Sequence, residues 1–166
     1  MIGEVVAAMI VLLVWLHMLA AVAWIGGTIF LSVVLAPLVR SHKAAPEFMA
    51  LFRLAARRFR VVVWSAIALL LATGPVLLHQ RGLSVLSPIG WPQVLRIKLG
   101  LVAVLLLLTV AHDLLLGPAV RRISALSVGA RTRWEQTLVR LASWVPRVGV
   151  LLALGVLFAA VMLARS

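Results

Sequence analysis

The chain has 166 residues, 64% of them hydrophobic and 12% charged, with a formal net charge of +12 and no cysteine. No water-soluble domain could cover that much apolar side chain with polar surface, so the composition points to a membrane protein and excludes disulfides, thiolate metal sites and cysteine nucleophiles. The basic residues crowd between apolar runs, which makes the positive charge a topology signal and removes nucleic acid as a partner.

Four apolar runs, roughly 6–36, 61–80, 94–117 and 147–164, are long enough to cross about 30 Å of hydrocarbon at about 1.5 Å per residue. The first lacks a basic leading region, carries Glu4 ahead of it and exceeds the length of a signal-peptide core, so it is expected to remain as a helix. Backbone groups in lipid must be satisfied within the chain, and no alternating polar pattern accompanies the runs. They predict an all-α fold, a single integral membrane four-helix bundle over 1–166, in which the runs show no internal repeat.

The segment between the first two spans holds Arg40, Lys43, Arg53, Arg57, Arg58 and Arg60, and that between the last two holds Arg121, Arg122, Arg131, Arg133, Arg140 and Arg147. The middle loop holds Arg81, with Arg96 at its helical edge. The positive-inside tendency makes both basic loops cytoplasmic and both termini periplasmic. Within these loops, PEFMALFRLAARRFR and TRWEQTLVRLASW set apolar side chains against a basic face, the pattern of interfacial helices that run on into the next span and anchor on anionic lipid.

Ionisable residues inside the spans are costly to bury and mark candidate sites. Arg40 and His17 are 23 positions apart, as are Arg121 and Lys98, about 34 Å in each helix. Arg60 and His79 are 19 positions apart, about 28 Å, which tilt brings toward the same outer layer. His17, His79 and Lys98 are therefore expected to meet near the outer face, beside Gln80 and the TGP step of Thr73, Gly74 and Pro75. In the first span His17, Ala20, Ala21, Trp24, Gly27 and Thr28 share a stripe, and in the third Lys98, Val102, Leu105, Thr109 and His112 share another; both are expected to face inward. Plainer roles stay open: an interhelical hydrogen bond for His17, snorkelling for Lys98, solvation for His79 and His42, and a polar clasp for His112 with Asp113.

The segments WLHMLAAVAWIGGTIFLSVVLAPLVR, RRFRVVVWSAIALLLATG and WPQVLRIKLGLVAVLLLLTVAHDLLLGP resemble the copper-resistance protein D family of bacterial inner-membrane proteins over nearly the whole chain. A histidine in the first span and a lysine opening the third also look like the HemJ-type protoporphyrinogen oxidases, haem-binding four-helix membrane proteins. The GG of Gly26 and Gly27 and the LGP of Leu116 to Pro118 depart from that second pattern and favour the first.

The first resemblance implies copper uptake or homeostasis in a bacterial inner membrane. Met9, His79 and Met162 would gather the ion outside, His17 and Met18 would hold it, and His112 with Asp113 would receive it; imidazole and thioether suit copper. The second implies a haem b redox protein, with His17 as axial ligand, His79 as a possible second and Lys98 paired with a propionate. Copper ranks first, haem b second, and a structural subunit of a membrane complex third. The implied partners are the lipid bilayer, a periplasmic copper carrier or redox protein, and a second copy in a homo-oligomer. Enzymatic activity would accompany only the haem reading. A Gly-rich phosphate loop, a carboxylate pair and a serine–histidine–acid set are all missing from the sequence.

Overall fold

A computed structural model describes residues 1–41, 46–84, 87–124 and 132–165. His42 and Lys43 of the first basic loop, and Arg131 of the second, lie outside the described residues. The protein is all-α, with helices α1 (Ile2–Ile29), α2 (Ala36–Ser41), α3 (Pro46–Gln80), α4 (Gln93–Ala111), α5 (Gly117–Ser124), α6 (Arg133–Ala142) and α7 (Val145–Arg165). Four stretches, Ile2–Leu38, Glu47–Gln80, Gln93–Ile123 and Arg133–Arg165, are long and apolar enough to cross a membrane. Large apolar side chains such as Met18, Val22, Leu151 and Phe158 stay uncovered, a surface that hydrocarbon accepts and water does not.

The chain divides into two compact units, Met1–Trp91 and Pro92–Ser166. In the first, α1 packs along α3. Contacts of residue 17 with 73 and of 27 with 59 run in opposite senses, so the pair is antiparallel. Ala20, Trp24 and Ile25 of α1 are buried with Val63, Ala66, Ile67 and Thr73 of α3. Small residues bring the backbones close, and at the inner end the Phe59 ring occupies the place where a Cβ on Gly27 would stand. The second glycine of the WIGG motif is thus a socket for an aromatic ring. In the second unit α4 packs along α7, with Leu101 against Gly155 and Leu108 against Gly149, again antiparallel. Leu105, Ala153, Val156 and Ala159 form its buried seam.

Both first helices widen into a π-turn directly before a proline. Over Phe30–Leu35 the turn closes through Ala36 N–H to the Leu31 carbonyl, next to Pro37; over His112–Leu116 it closes through Gly117 N–H to the His112 carbonyl, next to Pro118. Proline offers no N–H to the carbonyl four residues back, and a five-residue turn absorbs that local loss of helical register. The two turns sit at matching places in the sequence. At a spacing of 81 residues, Thr28, Leu35, Pro37, Val39 and Arg40 recur as Thr109, Leu116, Pro118, Val120 and Arg121. Thr28 Oγ1 donates to the Trp24 carbonyl at 2.7 Å, and Thr109 Oγ1 to the Leu105 carbonyl at 2.8 Å. Trp24 and Leu105 are both buried, and His17 takes the register position of Lys98. Identical side chains are few in these leucine-rich helices, and what the two helices share is the backbone device, a π-turn ahead of a proline.

The basic segment 46–60 does run on into its span as the single helix α3. The other segment forms α6, which a turn at Ser143–Trp144 separates from α7. Pro146 removes the N–H that would continue the ladder to Ala142, and Trp144 N–H instead bonds the Leu141 carbonyl at 2.9 Å. At the far end of α3, Gly82 adopts φ +71°, with its N–H on the His79 carbonyl at 2.9 Å and Leu83 N–H on Leu78 at 3.2 Å. This closing motif needs a left-handed residue, which glycine supplies without steric cost.

Candidate functional site

His17 sits half-buried on α1, turned to α3, with Nδ1 2.7 Å from Thr73 Oγ1. The same Oγ1 lies 2.7 Å from the Leu69 carbonyl. A carbonyl brings no proton, so the single hydroxyl proton of Thr73 goes to Leu69, and the proton between Thr73 and the imidazole must come from His17. The ring is therefore protonated on Nδ1. In the neutral tautomer this leaves the lone pair on Nε2, the nitrogen used when a histidine ligates with its other N–H held by a neighbour. Gly74 adjoins the same ring: a Cβ there would stand 3.8 Å from His17 Cε1, the atom between the two nitrogens.

The pairing revises the expected depth of His17. Counting from Arg40 treats that residue as the inner boundary, but α1 continues as helix past the level of Phe59, and residues 36–41 extend beyond it. Measured along α3 from Arg60, Thr73 is 13 positions away, about 20 Å, and Gln80 is seven positions further, about 10 Å. His17 is thus deeper in the apolar layer than the outer rim. Thr73 shares its level, and His79 lies about 9 Å beyond, exposed in the last turn of α3.

The other expected site residues fall as follows. Met18 is 61% exposed on a face turned from α3, and Met9 and Met162 are exposed as well. Lys98 is half-buried in the second turn of α4, in the second unit. His112 and Asp113 open the second π-turn, with Nδ1 and Oδ1 3.4 Å apart, a long contact between side chains that a regular helix would splay. Asp113 keeps only 15% of its side chain exposed, against 43% for His112. Among the described residues no three His, Asp or Glu side chains converge as a metal cage. Sequence reasoning set the TGP step beside the expected site and missed Thr73 as the partner of His17. Its signal was available: it is the one threonine in span 61–80, one turn from the Leu69 carbonyl, the position where a buried threonine back-bonds its own helix and keeps an acceptor to offer.

These observations define an integral membrane protein of four apolar helices with a polar contact held inside one helical hairpin. Residues 19–128 match the family described as domain of unknown function DUF4149, well over half of the chain, and the protein belongs to that family. The match takes in Thr73, Gly74, Lys98 and the His112–Asp113 pair and begins two residues after His17. Neither curated proteins nor solved structures give a match to the chain.

Proposed function

We propose that the protein is a membrane redox protein in which His17 ligates haem b through Nε2. The observation that carries this reading is the direction of the Nδ1–H bond to Thr73, which fixes the ring and its tautomer as a ligating histidine requires. The donor set fits a porphyrin better than a bare ion. A porphyrin brings four equatorial nitrogens and asks the protein for one or two axial ligands, whereas copper held by the protein alone needs several side chains together. Met18, adjacent in sequence, faces away from the partner helix of His17. The resemblance to copper-resistance proteins places copper first, and the chemistry of this donor set reverses that order.

Bound haem would supply one-electron chemistry at a depth that water does not reach freely. The chain's own residues do the rest. Thr73 holds the Nδ1 proton, Gly74 leaves the Cε1 edge of the ring without a side chain, and Ala20 and Ala21 keep the neighbouring face small. Ring orientation is thereby set by α3, two residues before Pro75, which offers no N–H to the hydrogen-bond ladder. An absorption spectrum and metal analysis of the detergent-purified protein test the reading together. A Soret band that His17→Ala abolishes in folded protein supports it. Stoichiometric copper without a Soret band returns the copper reading, and neither signal leaves His17 with Thr73 as an interhelical clasp.

A further inference from the structure

We propose that α6 is a docking surface for anionic phospholipid headgroups, laid along the membrane surface ahead of the last span. The helix starts at a capping box: Glu135 N–H donates to Thr132 Oγ1 at 3.3 Å, and Thr132 N–H donates to Glu135 Oε2 at 2.7 Å. Glu135 is the one acid between residues 132 and 165, and the cap holds its carboxylate at the helix N-terminus. Arg133, Arg140 and Arg147 follow at intervals of seven and are all exposed. Seven residues nearly complete two helical turns, so Arg133 and Arg140 lie along one line of α6, and Arg147 follows in the first turn of α7. Trp134 and Leu141 make a second line about 100° round, Trp144 follows at the turn, and these three are 69%, 55% and 56% exposed.

A basic line beside an apolar line with two tryptophans is the side-chain arrangement of a helix lying in the interface, with indoles at headgroup depth and arginines on phosphate. The turn at Ser143–Trp144 allows α6 to depart from the axis of α7, and the Arg147 guanidinium lies 4.7 Å above the Trp144 ring at that corner. Charge complementarity selects the occupant. Three exposed arginines with the only local acid engaged in the cap form a uniformly positive strip, and the planar fork of each suits phosphate oxygens. A zwitterionic headgroup offers no net charge to that strip, while phosphatidylglycerol does.

The test uses the full chain in nanodiscs containing brominated phosphatidylglycerol or brominated phosphatidylcholine at equal mole fraction. The quenching of Trp134 and Trp144 is taken as the difference between the wild type and Trp134→Phe/Trp144→Phe. Quenching by the glycerol lipid should exceed that by the choline lipid at low salt and converge with it in 0.5 M salt. Each of Arg133→Gln, Arg140→Gln and Arg147→Gln should lower the preference about fivefold. The triple lysine variant should retain most of it, which separates charge from loss of folding. Equal quenching by both lipids at low salt, or a preference unchanged in the triple glutamine variant with native helicity, would overturn the proposal. So would tryptophans that neither lipid quenches, as expected of a strip that binds an acidic protein or RNA in the aqueous phase.

Discussion

The His17 imidazole donates from Nδ1 to Thr73 Oγ1 at 2.7 Å while Thr73 passes its own proton to the Leu69 carbonyl, so α1 and α3 are joined by a hydrogen-bond chain with one direction. Chains of this kind polarise one another where the dielectric is low, and removing a member strands the others.

Replacing Thr73 with valine keeps the shape and removes both the acceptor for His17 and the donor for Leu69. The expected outcome is a loss of about 1 to 3 kcal/mol in stability and a roughly 10- to 100-fold weaker hold on a His17-ligated cofactor. Thr73→Ser should restore most of each. Unfolding in detergent and cofactor titration check the two effects separately, and an unaltered affinity in Thr73→Val would sever the link between the clasp and the site.

Gly74→Leu tests the Cε1 edge of the ring. A side chain built from a Cβ 3.8 Å from His17 Cε1 would crowd the edge that leads to Nε2. Cofactor occupancy should fall while thermal stability holds or rises, since leucine is the better helix former by up to about 1 kcal/mol. Unchanged occupancy would mean that Nε2 is not the ligating atom.

Gly27→Ala places a methyl where the Phe59 ring already lies. Overpacking should cost about 1 to 3 kcal/mol, and combining it with Phe59→Ala should cost less than the sum of the two single changes. A double-mutant cycle measures the coupling; additive losses would show that the ring moves aside without strain.

Orientation is checked with fusions. Reporters after residue 42 and within 124–132 should read cytoplasmic, and one between Arg81 and Ser87 periplasmic, because the proposed inner loops each hold six basic residues. A cytoplasmic signal from the Arg81 loop would invert the assignment.

Hydropathy made the four spans legible, and the small-residue stripe from His17 to Thr28 did face a partner helix, since both depend on nearest-neighbour periodicity. Depth did not transfer between helices. A first arginine marks a boundary only if the helix ends near it; past Gly27 the first helix runs on through the π-turn and α2 to Ser41, and α3 starts at Pro46, well ahead of Arg60. The pairing of His17 with Thr73, and not with the level of His79, follows from that helical overrun, which no count along one strand of sequence contains. The π-turns were hidden for a different reason: they add a residue to a turn without changing composition, and only the prolines behind them betray the place.

The 81-residue spacing sets the same proline-closed turn into two helices that lie two spans apart along the chain. Spans an even number of crossings apart run through a bilayer in the same sense, so one rule of flanking charge serves Arg40 and Arg121 alike. Under that common rule, at positions 81 residues apart, the first helix carries an imidazole, His17, and the second an ammonium, Lys98.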